Sequence, residues 1–250
     1  MTAAHDYLEQ IWELIHRLDR SQSGNIRAAA ALMADSVERG GLVNLFGSGH
    51  SILPVMDVFP RYGSYPAFRP LVDSRLSWFN VLGSGGVSEL LWLERTEGYV
   101  VNFLKNYPMA PADTMVVYSH GGLNAAPVEA ALYAKAQGCK VVAVTSVANL
   151  AANAATHSSG KRLADVADIV IDNCVDPIDA LVSVDGWPAC VAAGSTVAVV
   201  AISMALTAEL ATQLAERGIV LPVFVSPNVA SVPKDNNERV FAEYRRRTLR

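Results

Sequence analysis

Two stretches of the chain combine glycine with hydroxyl side chains in a way that suits an anion: Gly47-Ser48-Gly49-His50-Ser51 and Ser119-His120-Gly121-Gly122-Leu123-Asn124. Glycine lets the backbone approach a ligand closely, and the N–H groups opening the helix that follows such a turn have no intrahelical partner. A phosphate can be held there by backbone donors with serine hydroxyls beside them. The glycine spacing of the first stretch is too short for a dinucleotide fingerprint, and no lysine follows as a P-loop requires. It reads either as a loop for one phosphate, with Ser48 and Ser51 as donors, or as a tight strand-to-helix turn that binds nothing. The groups that could move a proton near such a site are carboxylates and imidazoles: Glu38, Glu94, Glu129, His50 and His157. Each has a structural alternative. Glu94 could pair with Arg95 on a helix surface, Glu129 could favour its own helix start, Glu38 could be a solvated helix end, and either histidine could pack or bond backbone.

The elements that would position these groups follow from hydrophobic periodicity. Apolar residues at helical spacing run from His5 to Arg39, are interrupted near Ser21 to Gly24, and resume through Val37, which predicts two helices before the first strand. Residues 42–46 form a strand that empties into the first glycine-serine loop, and residues 52–59 the helix after it. Residues 67–73 are a short extended segment constrained by Pro66 and Pro70. A second glycine-rich loop, 80–86, leads into a helix over 87–107. Residues 113–118, 140–146 and 167–172 read as further strands, residues 194–217 as one long helix, and residues 221–226 as a possible edge strand. Strands alternating with helices at this spacing give an α/β fold with a parallel sheet covered on both faces. Both hydroxyl-bearing loops then fall at carboxyl strand ends, where open α/β sheets bind ligands.

With 51% hydrophobic and 18% charged residues in 250, the chain has the composition of a globular protein, read here as a single domain. A net charge of −4 provides no basic field for nucleic acid or an acidic membrane. The basic stretch 239–250 reads as a solvated terminus. Three cysteines, without C-x-x-C spacing, argue against a disulfide framework and a zinc site and fit a reducing cytoplasm. His5, His16 and His120 show no metal-ligand spacing, so no metal or other cofactor is expected. The opening residues lack the uninterrupted apolar run of a signal peptide. Residues 189–206 are apolar enough to raise a membrane span, but Gly194, Ser195, Thr196 and Ser203 interrupt them, so a core or dimer-interface helix is expected.

Several of these pieces together resemble the SIS (sugar isomerase) domain family: a strand, the G-x-G-x-S loop, a helix, then a later strand ending in a Ser/Gly loop with Pro127 and Glu129 behind it. Leu93-Glu94-Arg95, HSSGKRL at 157–163, ADIVIDN at 167–173 and the segment 223–229 resemble bacterial single-domain members related to N-acetylmuramic acid 6-phosphate etherase and N-acetylglucosamine 6-phosphate dehydratase. The resemblance implies a three-layer sandwich with a five-stranded parallel sheet, preceded by N-terminal helices over residues 1–40. It also implies a homodimer and a small-molecule phosphosugar held by Gly47, Ser48, Gly49, His50, Ser51, Ser119, Gly121, Gly122, Asn124 and Lys161. By the same resemblance Glu94 is the first choice for an acid/base; His157 is the second, as an imidazole suited to proton transfer near neutrality. The chemistry expected is removal of a proton beside a carbonyl or imine, followed by elimination or isomerisation on an amino-sugar 6-phosphate; a non-catalytic sensor of the same ligand is the alternative. The departures from the family pattern are Met56-Asp57 where relatives carry a Glu pair, Gly121 in place of a second loop serine, and Asn236-Asn237 in the tail.

Overall fold

A computed structural model describes residues 2–78 and 81–249; Asn80, the first residue of the second glycine-rich loop, and Arg250, the last of the basic stretch, lie outside the described residues. Helix α1 (Ala3–Glu38) leads into β1 (Val43–Gly47), α2 (Ile52–Val58) and β2 (Phe68–Leu71). Two short helices follow, α3 (Val87–Leu93) and α4 (Tyr99–Leu104), then β3 (Thr114–Tyr118), α5 (Ala125–Ala136), β4 (Lys140–Thr145), α6 (Val147–Ala152), α7 (Leu163–Val166) and β5 (Ile169–Asp172). The chain closes with α8 (Ser195–Glu216) and α9 (Asn236–Thr248). The strands form one five-stranded parallel sheet in the order β2-β1-β3-β4-β5. The order reverses between β1 and β3, which is where such a sheet opens a crevice at its carboxyl edge.

Alternation along the strands builds two cores. Val43 and Leu45, Val116 and Tyr118, Val142 and Val144 point to one face, where they meet α1, α2, α8 and α9. Phe46, Met115 and Val117, Val141 and Ala143 point to the other, against α3, α4, α5 and α7. Both faces are covered, so the strands read as unbroken apolar runs rather than alternating ones. Pro70 is tolerated in β2 because β2 is an edge strand.

Four expectations change. The N-terminal region is one helix, not two, because its buried residues on either side of the break, from Leu14 and Leu18 to Ala29, Ala30 and Met33, lie on one face against the core. Gly24 costs about 1 kcal/mol there relative to alanine, which that burial outweighs. Gln22, inside the interruption, accepts from the Asp172 N–H at 3.0 Å and pins it to the end of β5. The helix expected over 87–107 is broken after Leu93 and restarts at Tyr99, since Glu129 of α5 takes the Gly98 N–H at 2.6 Å and turns the chain. Residues 221–226 add no strand: Phe224 bonds the 63–64 turn instead, donating to Ser64 at 2.7 Å and accepting from Gly63 at 2.8 Å. The basic stretch, finally, is not a solvated tail but helix α9, whose Val240 is buried and whose Phe241 and Tyr244 pack on Phe59. Helix α8 is long and apolar enough to span a membrane by length and composition, yet half of its most apolar stretch is buried within the chain, with Ala198, Ile202, Leu206 and Leu210 in the core.

Candidate active site

The break between α3 and α4 sets the site. Glu94 caps the C-terminus of α3, and its carbonyl accepts the Ala126 N–H of α5 at 2.9 Å, tying the end of one helix to the start of another. Its carboxylate spans the seam between β1 and β3. One oxygen accepts from Ser48 Oγ at 3.1 Å, at the end of β1, and the other from Asn124 Nδ2 at 2.8 Å, at the start of α5. Burial is the largest influence on this carboxyl and pushes it above its ordinary pKa, against the opposing effects of the Ser48 bond, the Arg95 charge and the Asn124 bond. A partly buried carboxylate raised in this way, at the carboxyl edge where strand order reverses, is a candidate proton acceptor.

The two glycine loops flank it. Residues 49–51 make a single 3-10 turn after Ser48, closed by the Ser51 N–H on the Ser48 carbonyl at 3.2 Å. Gly49 sits at φ +60, and its Cα lies so close under Trp78 that a Cβ would fall 2.6 Å from the indole Nε1. His50 stacks on the same indole, ring centroids 5.2 Å apart. In the other loop three successive carbonyls are bonded outward: Gly121 to Asn149 Nδ2 at 2.8 Å, Gly122 to the Leu163 N–H at 2.9 Å, and Leu123 to Thr156 Oγ1 at 2.7 Å. Because a trans peptide sets N–H opposite C=O, the N–H groups following these carbonyls point away from the bonds just named. The Gly122 N–H itself is met by Ser119 Oγ at 3.1 Å.

The remaining residues expected at the site divide. Ser48, Asn124 and Glu94 are joined directly, with His50 and Ser51 on the same turn as Ser48. His157 belongs to a second cluster. Its Nδ1 accepts from the Ser159 N–H at 3.1 Å, and its Nε2 faces Glu129 and Glu97, each at 3.8 Å. Both His157 and Glu129 are more than nine-tenths buried there. Glu97 is held in turn by the Ser158 N–H at 2.7 Å and its hydroxyl at 2.5 Å. The segment 156–163 is thus a strap lashing the second loop to the α3–α4 turn. Lys161 is exposed on it, its N–H on Ser159 Oγ at 3.3 Å. Glu38 pairs with Arg217 at 2.8 Å at the opposite end of the sheet.

Some features carried no sequence signal. Trp78 stands in no motif, and neither does the cluster at the end of β2 where Asp73 takes a short bond from Tyr99 and pairs with Arg75 at 3.3 Å. The bonds from Tyr99 and Arg75 outweigh burial and hold the Asp73 carboxyl below its ordinary pKa. The role of Asn124 had a signal: Pro127, at the third helical position, removes the N–H that a capping asparagine would serve. Among the described residues no group of three or more histidine, cysteine, aspartate or glutamate side chains is placed to hold a metal ion.

Comparison with known proteins places this arrangement. The chain is 36% identical to a UPF0309 protein of Streptomyces coelicolor over 97% of its own length and 98% of the relative's. It is 32% identical to a UPF0309 protein of Thermoanaerobacter pseudethanolicus over 97% of both chains. Among solved structures it resembles a phosphoheptose isomerase from Francisella tularensis (TM-score 0.54, 18% identity, 84% of this chain and 98% of that one). A second, from Neisseria gonorrhoeae, gives a TM-score of 0.54 at 16% identity over 84% and 96% of the two chains. These likenesses are of fold. Residues 6–146, containing β1, β3, both loops and Glu94, match the family described as SIS domain, and with the full-length relatives this establishes that the chain belongs to the SIS domain family as one of its UPF0309 proteins.

Proposed function

We propose that the chain binds a phosphosugar between residues 47–51 and 119–124 and that Glu94 removes a proton from it. The substrate class proposed is an amino-sugar 6-phosphate of the N-acetylglucosamine 6-phosphate type, and the outcome elimination or isomerisation. The observation that carries the reading is the Glu94 carboxylate bridging Ser48 and Asn124 across the β1–β3 seam. The phosphate fixes one end of the sugar, and the base stands between the two loops that would hold it. Removing a proton beside a carbonyl needs only this, and a positioned base contributes about a hundred- to ten-thousand-fold. Membership of the SIS domain family supports the ligand class, and the phosphoheptose isomerases share the fold. A proton NMR time course with N-acetylglucosamine 6-phosphate tests it: loss of the H2 or H3 signal is expected. Binding with both signals intact would instead favour a sensor.

Since Ser48 donates to Glu94, the hydroxyl left for the phosphate on that loop is Ser51's. Ser51→Ala is expected to weaken binding of the phosphorylated sugar by about 1.5–3 kcal/mol, the usual cost of removing a donor from a charged acceptor. Calorimetry giving equal affinities for the sugar with and without its phosphate would rule the phosphate site out.

A second copy is proposed as the partner. Leu8 and Trp12 stand 63% and 54% exposed on α1, beside a groove between α1 and α8 lined by Ile15, Leu18, Ile26, Ala201, Ile202 and Ala205. Apolar surface of this kind is what a homodimer covers. Light scattering should give twice the chain mass of 26.7 kDa, and Trp12→Glu should shift it toward one. A monomer at micromolar concentration would refute the dimer.

A further inference from the structure

The two oxygens of the Glu94 carboxylate have different neighbours. Oε1 accepts from the Asn124 amide, an NH2 group that donates and cannot accept. Oε2 accepts from Ser48 Oγ, a hydroxyl that can turn and accept instead. A carboxyl that takes up a proton becomes a donor at one oxygen only, and a buried donor without an acceptor is costly. Asn124 could offer an acceptor to that proton only by flipping its whole amide, whereas the Ser48 hydroxyl need only rotate.

The fold has also freed Asn124 for this task. An asparagine at the start of a helix ordinarily turns its side-chain oxygen onto the N–H of the second or third helical residue. Here the third residue is Pro127, which has no N–H, and the second, Ala126, gives its N–H to the Glu94 carbonyl. Asn124 makes no side-chain cap bond and spends its amide on Glu94. Backbone and side chain of Glu94 are thereby fixed to the same turn of α5.

Building on the reading of Glu94 as the site's base, we infer that Asn124 and Ser48 are positioning residues that decide which oxygen carries the proton: Asn124, donating to Oε1, keeps it unprotonated, and Ser48 receives the hydrogen bond from the protonated Oε2. In the step itself the bond from the substrate carbon to hydrogen breaks, its electron pair stays with the substrate, and an Oε2–H bond forms. Ser48 then reverses its hydroxyl from donor to acceptor without transferring its own proton. The charged side chain that acts on this carboxyl is Arg95, next in the chain, and its field is common to both states of Asn124 and Ser48.

The two partners should therefore answer differently to removal. Asn124 bonds the ionised carboxylate best, so Asn124→Ala is expected to raise the Glu94 midpoint by about one pH unit or more. While it donates to Oε2 the Ser48 bond lowers the carboxyl more than the Asn124 bond does, but Ser48 can turn to serve the protonated form as well, so Ser48→Ala should move the midpoint by less than half as much. The readout is a carboxyl carbon-13 NMR titration of glutamate-labelled, substrate-free protein, with the Glu94 resonance assigned by its absence in Glu94→Gln. Ser48→Thr, which keeps the hydroxyl, should restore the wild-type curve. An Asn124→Ala titration that superimposes on the wild type, or equal shifts in the two alanine variants, would overturn the inference. Should Asn124→Ala fail to fold, Asn124→Ser, which removes the amide donor, takes its place under the same two criteria. No substrate is involved, so this result is independent of whether the ligand is a phosphosugar.

Discussion

On the proposed role of Glu94, Glu94→Gln is expected to lower turnover by about a hundredfold or more and to leave substrate affinity within a factor of a few. The amide keeps the shape of the side chain, still accepts from Asn124 through its oxygen, and can donate from its nitrogen to Ser48, but cannot accept a proton. That is the pattern of a group needed mainly in the transition state. A variant with full turnover would make Glu94 a bridging strut between loops and nothing more, and His157 would be the next base to replace. The same substitution carries a second expectation of opposite sign. Burial raises the Glu94 carboxyl above its ordinary pKa. A carboxyl raised in the folded state contributes stability that is fully present below its unfolded pKa and lost as pH rises through its folded pKa. At neutral pH the native protein thus holds an ionised carboxylate at a cost, which Glu94→Gln relieves. The thermal midpoint of the variant should exceed that of the wild type at neutral pH, and the gap should close as pH falls to about 3, where the acid is protonated in both states. A less active and more stable variant is the signature of a group retained for chemistry rather than for the fold.

What was legible in the sequence was whatever depends on local pattern. The β-branched runs of β3 and β4 could be read as strands covered on both faces, and the loops Gly47 to Ser51 and Ser119 to Asn124 could be placed at carboxyl strand ends, because period and turn chemistry are written within a few residues. What was not legible depends on distant partners. Gly24 and its neighbouring serines look like a helix break until Gln22 meets β5, 150 residues away. The run 87–107 looks like one helix until Glu129 takes the Gly98 N–H. That second misreading matters, because in an unbroken helix the Glu94 carbonyl would be taken by the Gly98 N–H four residues on instead of by Ala126. Glu94 was singled out by its match to Leu-Glu-Arg in related sequences. That Ser48 serves Glu94 lies in the meeting of two segments 46 residues apart, which no local spacing encodes. The contacts of His157 with Glu97 and Glu129 are likewise not encoded locally, and only the path of the strap over the α3–α4 turn reveals them.

The largest structural effect falls at Gly47, and it follows from space rather than from charge. A Cβ on this residue would lie 2.1 Å from the Ser51 carbonyl oxygen, 2.7 Å from its carbon and 3.2 Å from the Ile52 nitrogen. All three are backbone atoms, so no side chain can rotate away, and the 47–51 turn itself must open. Gly47 is also paired with Tyr118 at the end of β1, so the strand cannot slide to make room. Opening the turn carries Ser48 off Glu94, loosens the His50 stack on Trp78 and unseats the start of α2, whose Ile52 and Val55 lie in the core. Gly47→Ala should therefore cost about 2–4 kcal/mol of stability, the upper range for overpacking and lost contacts. It should also abolish binding of the phosphorylated sugar in what remains folded. Gly24→Ala on α1 is the matched control: nothing lies within 4 Å of its added methyl, and it should stabilise the helix by about 0.5–1 kcal/mol. Denaturant midpoints for the two variants should thus move in opposite directions from the wild type. If Gly47→Ala kept wild-type stability and bound the phosphorylated sugar normally, the tight turn would not be what shapes the site, and the phosphate would have to be sought on the Ser119 loop alone.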